Sequence, residues 1–97
     1  MGNWQWTGNH ADAPSAAAAA NQAGCGAGEA IFEVNDGGTV GLYVYLNGVG
    51  SAKEWGWTGN HADAPSAVSF ANSQACEVGE AVYAANDNGT VGLYLLR

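Results

Sequence analysis

Eleven residues, WTGNHADAPSA, occur twice in this chain, from Trp6 to Ala16 and again from Trp57 to Ala67. The offset of 51 holds without a gap beyond that block, so that Cys25 falls on Cys76, Glu29 on Glu80, Asp36 on Asp87 and Tyr43 on Tyr94. Aligning residues 4–46 with 55–97 gives 26 identities in 43 positions. A self-similarity this strong defines the chain as two copies of one supersecondary unit, and it constrains the fold more than any local pattern. A unit of that size is too short to bury a core alone, so the copies are expected to pack on each other or on neighbouring subunits. The domain organisation expected is one domain over residues 1–97, built from repeats 4–46 and 55–97 and joined by a linker over 47–54.

Each copy reads as the same series of elements. Trp4-Gln5-Trp6 and Trp55-Gly56-Trp57 alternate large side chains with small or polar ones, a strand pattern with both indoles on one face. The stretch TGNHADAP reads as a turn leading to a helix start. Asp12 and Asp63 are good N-caps, and Pro14 and Pro65 lie in the first turn, where a missing N–H does little harm. The Ala16–Ala20 run favours helix. In the second copy Val68, Ala71 and Ala75 keep helical spacing, against a strand-like alternation of Val68 and Phe70. Residues 29–34 and 80–85 read as strands, followed by turns at 35–38 and 86–89, with Gly38 and Gly89 in the left-handed position that closes a short hairpin. Residues 39–46 and 90–96 are the return strands. Gly41 and Gly92 lie inside them, and an interior glycine marks a bulge or a close backbone approach. The architecture expected is α+β, two strand-helix-hairpin repeats packed with pseudo-two-fold symmetry. An all-β barrel or sandwich is the alternative if the Ala-rich stretches are extended.

Composition removes several classes of function. Only Lys53 and Arg97 are basic, and nine acids give a net charge of −7. Nothing is available to neutralise a phosphate backbone or to bind an anionic membrane surface, so neither nucleic acid nor membrane is an expected partner. No apolar run approaches the roughly 20 residues of a membrane span. No basic-then-apolar leader is visible at MGNWQW, which implies a cytoplasmic protein at synthesis, or an extracellular one if a leader was removed. Charged residues are 11% of the chain, against roughly 25% in ordinary soluble domains. The surface is therefore built from Ala, Gly, Asn, Ser and Thr, which suits close subunit packing.

The repeated block holds the candidate site residues: Trp6, Asn9, His10 and Asp12, matched by Trp57, Asn60, His61 and Asp63. An indole platform beside Asn, His and Asp is a workable chemistry for binding a sugar, and two copies would add avidity. The same residues also fit purely structural work, with Asp as a cap, Asn and His satisfying turn backbone, and the indoles in the core. His10 and Asp12 joined to His61 and Asp63 would offer two nitrogens and two oxygens to a metal, but the spacing matches no specific metal signature, and no cofactor is expected. Cys25 and Cys76 are too few for a disulfide framework and are expected to be reduced and largely buried. No nucleophile elbow, phosphate loop or zinc motif is present, and the two histidines occupy equivalent positions, whereas an acid–base pair needs different environments. An enzyme is not expected.

One resemblance emerges at the hairpins. Val78-Gly79-Glu80-Ala81-Val82-Tyr83 followed by Asn88-Gly89-Thr90-Val91 resembles a segment recurring in small bacteriophage capsid decoration (cement) proteins. Ala27-Gly28-Glu29-Ala30-Ile31-Phe32 with Gly38-Thr39-Val40 repeats it. The resemblance covers roughly fifteen residues of each copy and leaves out the Trp-containing block. It implies a small, β-rich, non-enzymatic protein that clamps neighbouring capsid subunits at a virion surface, as a symmetric oligomer and without a cofactor. Two readings follow. The first is a structural or assembly protein whose partners are copies of itself or capsid subunits. The second is a duplicated carbohydrate-binding module. A sugar-binding module exposes an indole in each copy, whereas an assembly protein buries its indoles in core or interface.

Overall fold

The computed structural model describes residues 2–97. Each repeat is strand, helix, strand, strand: β1 (Asn3–His10), α1 (Ala13–Gln22), β2 (Ala30–Val34) and β3 (Val40–Leu46), then β4 (Trp55–His61), α2 (Ala64–Ser73), β5 (Ala81–Ala85) and β6 (Val91–Leu96). Each forms a three-stranded antiparallel sheet with its last strand in the middle, in the orders β1-β3-β2 and β4-β6-β5. The fold is α+β, and the all-β alternative is excluded by two ten-residue helices.

The helices start where the sequence places them. Asp12 and Asp63 are extended N-caps, and each accepts a backbone N–H at 2.9 Å, from Ser15 and Ser66. Hydrogen bonding by Ser15 and Ser66, through the side chain first and the backbone N–H second, holds both carboxyls below the usual aspartate range. Alanine on the inner face, Ala16, Ala17 and Ala20 in α1 and Ala67 and Ala71 in α2, lets each helix lie close on its sheet. The hairpin turns also hold: Gly38 and Gly89 both have φ of 89°, a region open chiefly to glycine.

The stretch after the first indoles is different from expectation. Thr7–His10 and Thr58–His61 are not turns but continuations of β1 and β4. Trp6 pairs with Tyr43 and Asn9 with Gly41, so Thr7 and Gly8 together face Leu42 alone, and the same bulge recurs between Trp57 and Asn60. Gly8 and Gly59 absorb it at φ of 106° and 105°. The ladder disrupted by the bulge is mended by a side chain. Thr7 Oγ1 donates to the Leu42 carbonyl at 3.0 Å, and Thr58 Oγ1 to that of Leu93 at 2.9 Å.

The main core lies at the junction of the repeats. It joins Ala16, Ala20, Phe32, Leu42 and Val44 of the first to Trp55, Ala84, Tyr94 and Leu96 of the second. Alternation along β3 sends Val40, Leu42 and Val44 toward α1 and Tyr43 and Tyr45 to the back of the sheet, as the two-residue period of a strand requires. The junction is made face to back. The helix side of repeat 1, with α1 and Phe32, lies on the back of repeat 2, with Trp55 and Tyr94. β2 meets β5 directly, while farther out α1 fills the gap between its own sheet and β4.

Candidate interaction surface

The repeated block is occupied with its own architecture. Asn9 accepts from the Asn35 amide of the neighbouring hairpin turn at 2.9 Å, and Asn60 accepts from Asn86 at the same distance. His10 Nε2 lies 2.9 Å from Thr7 Oγ1, and His61 Nε2 3.0 Å from Thr58 Oγ1. Because each threonine hydroxyl already gives its proton to a carbonyl, its remaining role toward the imidazole is that of acceptor, which places a proton on Nε2. Asp12 and Asp63 are caps. Trp6 lies over Gly41 and against Tyr43, with ring centroids 4.9 Å apart, and Trp57 lies over Gly92 and against Tyr94 at 4.8 Å. The interior glycines are thus the close approach that the sequence implied. No group of three or more His, Cys, Asp or Glu side chains converges among the described residues, so the structure does not assemble the His10, Asp12, His61 and Asp63 quartet.

Asp12 of the first block and Trp57 and Asn60 of the second line one cavity with Tyr94, and an aromatic surface lies exposed on the back of repeat 1. Trp4 and Tyr45 face each other across β1 and β3 with centroids 5.3 Å apart, and Trp6 and Tyr43 form the next pair along the same face. Of their equivalents in repeat 2, Trp55, Tyr94 and Leu96 are buried and Trp57 is half-buried. Trp4 is 49% exposed against 3% for Trp55, and Tyr43 37% against 0% for Tyr94. The opposite face shows the converse: Phe32 is 5% exposed, while its counterpart Tyr83 is 47% exposed. Phe32 stacks on Tyr94 with centroids 4.0 Å apart and planes 6° from parallel, and meets Trp55 edge-on at 5.6 Å.

A second element of the junction is polar. Trp55 stands on the open edge of its sheet, and the Asn21 side chain from α1 closes that edge. Trp55 N–H donates to Asn21 Oδ1 at 2.6 Å, and Asn21 Nδ2 donates to the Trp55 carbonyl at 2.9 Å. Sequence reasoning passed over Asn21, Phe32, Trp4 and Tyr43 as site residues. A signal was present for Asn21, which is identical to Asn72 in a helix end where most neighbours differ.

Other groups fit structural roles. Cys25 is buried and Cys76 half-buried, both as free thiols, so the expected burial holds fully for the first alone. Burial, then the nearby Glu29 and Glu80 respectively, push the two thiols above the ordinary cysteine range, the opposite of an activated thiolate. Lys53 in the linker pairs with Glu80 at 2.7 Å. The Tyr94 hydroxyl and the Trp55 indole N–H are buried without a hydrogen-bond partner, and burial pushes the tyrosine up to about 12. No helix among the described residues is long and apolar enough to cross a membrane. No protein family, curated protein or solved structure matches this chain.

Proposed function

We propose that this protein acts by binding rather than by chemistry, as a structural subunit of a larger protein assembly. One observation carries the reading. The aromatic back of repeat 1 is exposed, and the same surface in repeat 2 is already covered by the other repeat of the chain. A surface whose twin is covered by protein is best read as a protein interface. The hairpin resemblance makes capsid decoration at a virion surface the concrete case, with copies of this chain or capsid subunits as partners. The unequal burial of equivalent residues favours a different relation between repeats from the pseudo-two-fold expected, because a half-turn would bury both copies alike. A rotation smaller than a half-turn, with repeat 1 packed on repeat 2 and not the reverse, accounts for it.

Glycan binding remains the second reading, on the same observation of exposed Trp4 and Trp6. The two differ in what they require. An assembly subunit engages a folded partner over about 800 Å² or more per side, and with so few charges its affinity changes little with salt. The test is sedimentation of the native chain, alone and with purified capsid shells, beside a glycan array. A monodisperse monomer that ignores the shells, binds a glycan and loses it on Trp6→Ala overturns the assembly reading.

A further inference from the structure

We infer that the chain associates head to tail with further copies of itself, the helix side of repeat 2 seating on the aromatic back of repeat 1 of the next copy. The inference rests on the assembly reading and names its partner. Its template is the junction inside the chain. That junction uses one face of repeat 1 and the opposite face of repeat 2, so each repeat is left with one unused half. Repeat 1 presents Trp4, Trp6 and Tyr43, and repeat 2 presents Tyr83 and Val68, all exposed. Stacked repeats need terminal units with polar outer faces to stop growth, and neither end here is capped.

The halves match at their aromatic and amide contacts. Moving the template by one repeat carries Phe32 to Tyr83, Trp55 to Trp4 and Tyr94 to Tyr43. Tyr83 would then stack on the partner subunit's Tyr43 and meet the edge of its Trp4. The same shift carries Asn21 to Asn72, which is exposed on α2, and carries the Trp55 backbone to that of Trp4. That backbone is free to receive it. Tyr45 donates its N–H to Glu29 on the β2 side at 2.8 Å, so Trp4 opposite Tyr45 is a non-hydrogen-bonded pair, and its N–H and C=O point out from the sheet edge. Asn72 therefore meets the same pair of backbone groups that Asn21 already clamps.

The geometry also gives the form of the assembly. Before β2 and β5 begin, Gly28 N–H donates to the Gly79 carbonyl at 2.8 Å. At the other end Val34 and Ala85, Asn35 and Asn86, and Asp36 and Asp87 line one cavity. Equivalent residues thus stay level along β2 and β5, while α1 fills the wedge toward the rim. A rotation without rise about an axis along these strands closes into a ring rather than climbing into a filament. Several positions depart from the template. On the back of repeat 1, Glu33 and Tyr45 stand where repeat 2 buries Ala84 and Leu96, and on α2 the larger Val68 and Phe70 stand where α1 has Ala17 and Ala19, so the contact between copies is weaker than the internal one and reversible.

Sedimentation velocity on the native chain and on single variants tests this. The wild type forms a discrete, concentration-dependent ring. Trp4→Glu, Tyr83→Glu and Asn72→Ala each weaken association by at least about tenfold, with unchanged circular dichroism because all three sites are exposed. Glu33→Ala tightens it. The decisive step is mixing: Trp4→Glu keeps an intact repeat 2 face and Tyr83→Glu an intact repeat 1 back, so each alone is monomeric and the mixture yields a one-to-one heterodimer that grows no further. A wild type that stays monomeric at millimolar concentration overturns the inference. So does an oligomer indifferent to Tyr83→Glu and Asn72→Ala, or one disrupted by both Trp4→Glu and Tyr83→Glu without complementation. In these cases the assembly reading stands or falls separately, on the capsid and glycan measurements.

Discussion

Gly41 and Gly92 are identical in sequence context, yet replacing each with alanine should have different consequences. A Cβ on Gly92 would lie 2.5 Å from Cη2 and 2.8 Å from Cζ3 of Trp57, and 3.1 Å from Asn60 Oδ1. Ordinary carbon contacts are about 3.5–4 Å, so the indole must retreat by on the order of 1 Å. Its retreat is restricted, because half-buried Trp57 packs against Tyr94 and the core at the repeat junction and is free only toward the cavity it lines. Overpacking of this kind costs about 1–3 kcal/mol. The backbone there is not at positive φ, so alanine recovers about 0.5–1 kcal/mol of conformational entropy. The net loss expected for Gly92→Ala is about 1–2 kcal/mol, or roughly 5–15 °C in Tm for a domain of this size. At Gly41 the added Cβ meets Trp6 Cη2 at 2.7 Å and Cζ3 at 3.0 Å. Trp6 is half exposed and can swing outward, so Gly41→Ala should stay within about 0.5 kcal/mol of wild type. Urea unfolding followed by far-ultraviolet circular dichroism measures both, at one fixed protein concentration because association would shift the midpoint. Adding Trp57→Phe to Gly92→Ala should recover part of the loss, a coupling of about 0.5 kcal/mol or more. Equal losses at the two glycines, or a cycle with no coupling, would refute the claim that the junction restrains Trp57 and leaves Trp6 free.

Asn21→Ala leaves both backbone groups of buried Trp55 without partners and should destabilise the chain by roughly 2–3 kcal/mol, whereas Asn72→Ala should leave monomer stability nearly unchanged; chemical denaturation of the two variants checks the contrast. Ala75 ends α2 at φ of 56°, the one non-glycine residue at positive φ among the described residues, so Ala75→Gly should raise stability by about 0.5–1 kcal/mol, read as a rise in Tm. The raised Tyr94 means that the unfolded chain ionises this phenol first, so the stability it supports is intact below about pH 10 and is lost as pH rises toward 12. Tyr94→Phe should remove that portion of the alkaline decline and, by deleting a hydroxyl with no partner, should cost little or be stabilising by up to about 1 kcal/mol at neutral pH.

The parts of the fold legible in the sequence are those decided within a few residues. Asp12 with Pro14, the Ala run, and the Asn-Asp-x-Gly turns each act through local backbone chemistry, and each formed as read. The stretch Thr7–His10 misled because Gly, Asn and His are turn residues by composition. Here they build a bulged strand, since Gly8 takes the extra residue and Thr7 satisfies the carbonyl opposite. That substitution of a side chain for a ladder bond depends on β3, some thirty-five residues away, and no window around the block contains it. The unequal fates of Trp4 and Trp55 were farther out of reach, because both belong to the same Trp-x-Trp strand pattern and are told apart by which repeat stacks on which.

Two of the differences between the repeats, however, follow the stacking direction. The aromatic ring of the inner face is Phe32 when the junction covers it and Tyr83 when it is open; the methyl of the covered back is Ala84, and the open back carries Glu33. Both changes add a polar group to the exposed end while leaving the backbone pairing unaltered. A phenol keeps the flat apolar ring with which Phe32 stacks on Tyr94 and adds a hydroxyl that water can solvate when the face is uncovered. Drift at two free surfaces would have no reason to keep the ring, the Asn72 amide and the paired Trp4–Tyr43 face together. Surfaces that must be soluble apart and complementary together would retain all three.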